Sequence, residues 1–162
     1  MAALSEQDIL RYVPGVNIIR YKDLDKIRNI EDIIPKAGLV ILYPGRTSNS
    51  GHWICLFINK KKLWVFDSYG NKIDEALEYD QGTLDPRMYN RLSYLLAKSP
   101  LPIDFNNYQF QSAGKQVTCG YWCVARLRNK NLTTDQFFEL WGLNDTDQYL
   151  PDELVEYYVK NY

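Results

Sequence analysis

The spacing of apolar positions changes along the chain, and each change predicts an element. Near the start, Ile9, Leu10 and Val13 form one apolar side behind Ser5 and Asp8, an N-cap signature, and Pro14 ends that short helix. Residues 22–34 are charged, with Leu24, Ile27, Ile30, Ile33 and Ile34 at roughly helical spacing up to Pro35. From residue 38 the texture becomes that of strands. "GLVILY" (38–43), "HWICLFI" (52–58) and "KLWVFDS" (62–68) are short runs rich in β-branched and aromatic residues. The first two are apolar on both faces, as central covered strands are, and Asn59–Lys62 is short enough for a hairpin. Residues 86–99 predict a helix with Pro86 in its first turn and Met88, Leu92, Leu95 and Leu96 on one side. "DFNNYQFQ" (104–111) reads as another strand. Helices follow at 118–128, at 134–141 behind a Thr133–Gln136 capping box, and at 151–160 from Pro151. No repeat, low-complexity tract or linker interrupts the pattern. The expectation is one α+β domain spanning 1–162, a mostly antiparallel sheet flanked by helices.

Composition narrows what such a domain does. With 46% apolar and 14% aromatic residues, its 162 residues can fill a core, which excludes a disordered chain. Nineteen basic residues against twenty acidic ones leave a net charge of −1, so no global field draws the chain to nucleic acid or membranes. Only "KKK" (60–62) and "RLRNK" (126–130) are local basic clusters. Three cysteines without framework spacing point to a reducing compartment. "MAALSEQDIL" carries no apolar signal core, and no run approaches a membrane span. The expected setting is a cytosol, or a particle assembled in one.

The chemistry concentrates in "TCGYWCVARL" (118–127) and in the single histidine of "SGHWICLFI" (50–58). Cys119, Cys123 and His52 make a poor zinc site, because structural zinc usually takes four ligands. A redox dithiol would want two residues between its cysteines, and here three intervene. Nucleophilic catalysis fits better. Behind Thr118, a candidate N-cap, Cys119 would sit at the positive end of a helix, and Gly120 would let a substrate backbone approach. Cys123 and Cys55 lie in apolar runs and read as core thiols. If strands 52–58 and 62–68 pair through their short loop, residue 52 falls roughly opposite 68, and His52 comes within reach of Asp67. That suits a carboxylate orienting the ring through Nδ1–H.

His52-Trp53, Asp67-Ser68 and Cys119-Gly120, in that order and with a glutamine before the cysteine, resemble the adenovirus-endopeptidase-like cysteine proteases. That superfamily also holds the SUMO-specific proteases and the capsid-maturation proteases of large DNA viruses and virophages. The resemblance covers about residues 38–128 and implies the papain-like fold of that group. It implies Cys119 as nucleophile, His52 as general base and then acid, and Asp67 as the orienting carboxylate. Trp53 matches the aromatic that lines the family's cleft, with Gly51 and Gly120 beside it as substrate-binding positions. For the family's oxyanion-hole glutamine, Gln111 at the end of the 104–111 strand is favoured over Gln116 and Gln109. The short chain is most similar to the viral branch. This implies a cysteine endopeptidase that processes capsid or scaffold precursors at Gly-Gly-type sites during virion maturation, in the virion and host cytoplasm. It implies no cofactor, metal or membrane partner, and a monomer. Some relatives are switched on by nucleic acid or a peptide, an activator class left open here. The alternatives are a protease deconjugating ubiquitin-like modifiers and a silent binding module on the same fold.

Overall fold

Lys60 and Lys61 both take left-handed backbone angles (φ 52° and 61°), the two-residue turn whose twist suits a hairpin. In the computed structural model, which describes residues 2–45, 51–79, 84–111, 118–142 and 151–162, this turn joins β3 (Gly51–Asn59) to β4 (Lys62–Phe66). Their antiparallel register runs from Asn59 opposite Lys62 to Cys55 opposite Phe66. On the other side of β3 lies β2 (Leu39–Pro44), also antiparallel. Outside these three, β1 (Asn17–Arg20) pairs parallel with β2, and β5 (Ile103–Phe105) pairs parallel with β4. The five-stranded sheet therefore follows chain order, antiparallel in the middle and parallel at both edges.

Side-chain alternation divides the interior in two. Val40, Cys55, Phe57, Trp64 and Phe66 enter the first core, with Ile9 of α1 (Glu6–Tyr12), α3 (Cys119–Arg128), Phe137 of α4 (Thr134–Leu140), and Val155 and Val159 of α5 (Pro151–Asn161). Leu39, Ile41, Tyr43, Ile54, Leu56, Leu63 and Val65 enter the second, with Leu92, Leu95 and Leu96 of α2 (Arg91–Lys98). Both faces of the central strands are covered, as their continuous apolar runs require.

Four details depart from the sequence expectation. β1 was not foreseen, because four residues are too few for alternation to register. Residues 22–34 form two 3₁₀ turns, Tyr21–Lys26 and Ile30–Ile33, rather than a helix. Arg91 takes up the carbonyls of Leu24 and Ile27, which a continuous helix would have used itself. Pro86 opens only a 3₁₀ turn, and α2 starts after Asn90, whose left-handed conformation (φ 63°) breaks the path. β5 ends at Phe105 because the side chain of Asn106 replaces the strand ladder. Its Oδ1 accepts from Asp67 N–H, and its Nδ2 donates to the carbonyls of Asp67 and Tyr108.

The helix that begins at Cys119 is buried on every side from Cys119 to Leu127. Even Arg126 is enclosed, its guanidinium lying over Phe57 and Phe137 and donating to the carbonyls of Asn129 and Leu132. Thr118 is not the expected side-chain cap. Its backbone is already helical and its hydroxyl donates to Asp152 Oδ1 at 2.9 Å, the same oxygen that accepts from Trp122 Nε1 at 2.9 Å. Buried Asp152, at the start of α5, thus grips α3 on both sides of Cys119. Removing it strands two buried donors at about 1–3 kcal/mol each, so Asp152→Ala is expected to lose about 2–4 kcal/mol in urea unfolding. A loss under about 0.5 kcal/mol would show that these bonds do not hold the helix.

Candidate active site

β4 leaves the ladder after Phe66, and the next four residues turn back on themselves. Gly70 N–H donates to the Asp67 carbonyl at 2.8 Å, and Tyr69 N–H donates to Asp67 Oδ1 at 2.9 Å. Gly70 sits at φ 71° with its Cα against the Tyr108 backbone, where a Cβ would come within 2.7 Å. Only glycine satisfies both the angle and the space. The turn points the Asp67 carboxylate, which is 6% exposed, at the histidine of β3.

His52 Nε2 lies 2.7 Å from Asp67 Oδ1. The Asp–His pair that the hairpin predicts is present, but through Nε2–H instead of Nδ1–H. The register also differs by one position from the expectation. The ladder, continued past Cys55–Phe66, sets His52 opposite Tyr69, and the two rings lie 4.9 Å apart. With Nε2 given to Asp67, the other side of the imidazole is left for Cys119, which is also in hydrogen-bond contact with the ring.

Cys119 opens α3 and is 3% exposed. Its Sγ accepts from the backbone N–H of Trp53 at 3.5 Å, a donor made available where β4 has left the sheet. The Trp53 N–H, the His52 imidazole and the N-terminus of α3 converge on that sulfur. The three cysteines separate as foreseen in environment. Cys55 and Cys123 are fully buried side by side, and burial pushes the Cys123 thiol well above its ordinary range.

The glycines and glutamines are placed as follows. Gly51 has no room for a side chain, since a Cβ would strike the Tyr43 carbonyl and the Leu42 side chain across the ladder. Gly120 is packed against Leu4 and the Trp53 ring. Both close approaches are made by the protein itself, which accounts for the glycines without a substrate. Gln111 is not at a strand end, as β5 stops six residues earlier. It is fully buried, with its N–H on the Ser68 carbonyl (2.8 Å) and its Oε1 accepting from Ser68 Oγ (2.7 Å). Gln109 is spent on the Gln111 carbonyl. Gln116 lies outside the described residues. Sequence reasoning missed Ser68, Asn106, Asp152 and the Trp53 N–H. Only Ser68 carried a signal, being the second half of the "DS" pair.

The α+β fold is of the kind seen in the ASFV pS273R protease. The two align with a TM-score of 0.50 at 13% identity over 98% of this chain and 66% of that one, so this chain spans just under two-thirds of that protease's length. A looser likeness, TM-score 0.40 at 11% identity over 97% of this chain and 78% of the other, is to the SUMO protease Ulp1 with its catalytic cysteine oxidised to a sulfinic acid. No protein-family model matches the chain. In sequence it is 35% identical to the uncharacterized protein V9 of Sputnik virophage over 162 residues, 94% of this chain and 91% of V9. The chain belongs to the V9 family.

Electrostatics give the site a measurable signature. Burial pushes the His52 pKa down, but the hydrogen bonds to Asp67 and Cys119 and their charges outweigh it and raise the value from 6.5 to about 10. Because the folded value is the higher one, His52 protonation stabilises the fold. That contribution is complete below about pH 6.5 and is lost as pH rises through about 10. His52 is the only histidine, so its ring resonances in NMR are unambiguous. They are expected to titrate near 10 in the wild type and lower in Asp67→Asn. A wild-type titration near 6.5 would contradict the pairing.

Proposed function

We propose that the chain is a cysteine endopeptidase acting through Cys119, His52 and Asp67. One observation carries the reading: these three side chains form a continuous hydrogen-bonded chain at the N-terminus of a buried helix. Two sheet-borne groups and one helix-borne group meet there, an arrangement that ordinary packing does not call for. The likeness of fold to the ASFV pS273R protease supports it, and membership of the V9 family supports a virophage setting.

The geometry suits acyl transfer. The Cys119 thiolate attacks the scissile carbonyl, forming the C–S bond, and the carbonyl electrons move to oxygen. The oxyanion takes hydrogen bonds from N–H groups at the start of α3 and from the Gln111 amide. As the tetrahedral species collapses, protonated His52 gives its proton to the leaving amine. The neutral ring then takes a proton from water as the water attacks the thioester; the C–S bond breaks, the acid product leaves, and the Cys119 thiolate beside protonated His52 is restored. Asp67 keeps the ring aligned and balances its charge throughout. The acyl-donor side is read as Gly-Gly, and the substrates as capsid or scaffold precursors of a virophage-like particle. The reading keeps the protein substrate, the monomer and the virion setting that the resemblance implies. No helix among the described residues is long and apolar enough to cross a membrane.

Incubation with a capsid-precursor polypeptide bearing a Gly-Gly junction, beside a SUMO fusion, tests both activity and substrate. Cleavage of the precursor is expected, with Cys119→Ala and His52→Ala each losing about 10⁴-fold or more in kcat/KM. Asp67→Asn is expected to keep a residue of activity, about 10–100-fold below wild type. Undiminished turnover by Cys119→Ala would remove the assignment. Preference for the SUMO fusion would redirect the substrate to ubiquitin-like modifiers.

A further inference from the structure

One residue touches both members of the Asp–His pair. The backbone N–H of Tyr69 donates to Asp67 Oδ1 at 2.9 Å, the same oxygen that lies 2.7 Å from His52 Nε2. The side chain of Tyr69 goes to the other member. Its ring lies on the His52 imidazole, with centroids 4.9 Å apart and planes 33° from each other. The hairpin brings it there, since Tyr69 faces His52 when the β3–β4 register is carried past Phe66. The turn that Gly70 closes on the Asp67 carbonyl then holds its backbone. Tyr69 is half-buried, and only 13% of the His52 side chain is left to solvent.

The imidazole is held at its edges by Asp67, past the end of β4, and by Cys119 on α3. These two, with Tyr69 itself, are the titratable groups that face it among the described residues. Hydrogen bonds at the edges resist a turn of the ring about its Cβ–Cγ bond only through their own strength. A half turn would put a carbon where Nε2 now meets Asp67. Any such turn swings the ring edges out of their present plane, and a tyrosine ring lying on the imidazole face stands in the way. The same contact acts on charge. A cation within about 6 Å of an aromatic centroid is drawn to the ring face, more strongly where water is excluded. At 4.9 Å, Tyr69 therefore favours the imidazolium over the neutral ring.

We propose that Tyr69 is a positioning residue whose ring locks the His52 imidazole with Nε2 on Asp67 and supports its positive charge. The proposal rests on the protease reading above, in which that imidazolium gives its proton to the leaving amine. Tyr69 acts through the ring it touches and exchanges no proton or bond itself.

The test compares wild type with Tyr69→Phe, Tyr69→Leu and Tyr69→Ala. All three keep the backbone N–H on Asp67, so they report on the side chain alone. The ring resonances of the only histidine are followed against pH, beside kcat and KM on a Gly-Gly peptide. In Tyr69→Leu and Tyr69→Ala, His52 is expected to titrate about 0.5–1 pH unit below wild type. In the same variants kcat is expected to fall about 10-fold with KM within about two-fold. Tyr69→Phe, which keeps the aromatic face, is expected to stay within about two-fold of wild type in kcat and to titrate with it. Should Tyr69→Ala fail to fold, Tyr69→Leu, which fills more of the space without an aromatic face, reads the same contrast with Tyr69→Phe. An unmoved titration and kcat in Tyr69→Leu, or a Tyr69→Phe that falls as far as Tyr69→Leu, would overturn the role of the ring while the protease reading stands. The titration needs no substrate, so it decides the hold of Tyr69 on His52 even if wild type turns over no peptide, the result that would overturn the protease reading.

Discussion

His52 and Asp67 are fifteen residues apart and meet because the turn between their strands is two residues long. With Lys60 and Lys61 both left-handed, the pairing of β3 with β4 has no freedom to slip, and a slip of β4 by one residue would turn each of its side chains to the opposite face. Trp64 and Phe66 would leave the first core and Leu63 and Val65 the second. Burial on both faces thus fixes the register that brings His52 and Asp67 together. The carboxylate falls past the end of β4, and the imidazole stands at the start of β3.

The other half of the site is built on a helix with no free face. Nine consecutive residues of α3 are buried, so the helix has no latitude to roll or slide, and Asp152 ties its first turn to α5 through Thr118 and Trp122. Sheet and helix together bring Asp67, His52 and Cys119 into one hydrogen-bonded chain. The arrangement also separates two cysteines that look alike in sequence. One turn of helix moves the sulfur from an imidazole and a backbone N–H to a buried apolar interior beside Cys55, where charge on sulfur is penalised.

The sequence made part of this legible for physical reasons. A lone histidine at a strand entrance, a carboxylate ending an apolar strand and a cysteine opening a helix are each out of keeping with their surroundings, and a short hairpin brings the first two together. The identity of the ring nitrogen was not legible, because it depends on which side of the imidazole faces the sheet's end. Nor were Asp152 and Asn106. An acid in a helix's first turn and an asparagine after a strand are satisfied by local explanations, and their long-range bonds appear only when distant segments pack. The strand end on which Gln111 was preferred over Gln116 is absent. The anchor of Gln111 is the buried Ser68, and the strand expected to carry it ends at Phe105. The apolar spacing of 22–34 failed for the same kind of reason, since Arg91 satisfies carbonyls that a helix would have paired internally.

The central claim is that reactivity belongs to one thiol of three, through its contact with His52. Its most direct test is a peptide ending in Gly-Gly with a terminal vinyl electrophile, added at equimolar concentration and located by mass spectrometry. The account predicts one adduct per chain, on Cys119, that forms in wild type and not in His52→Ala. An adduct on Cys55 or Cys123, or equal labelling of Cys119 without the histidine, would contradict it.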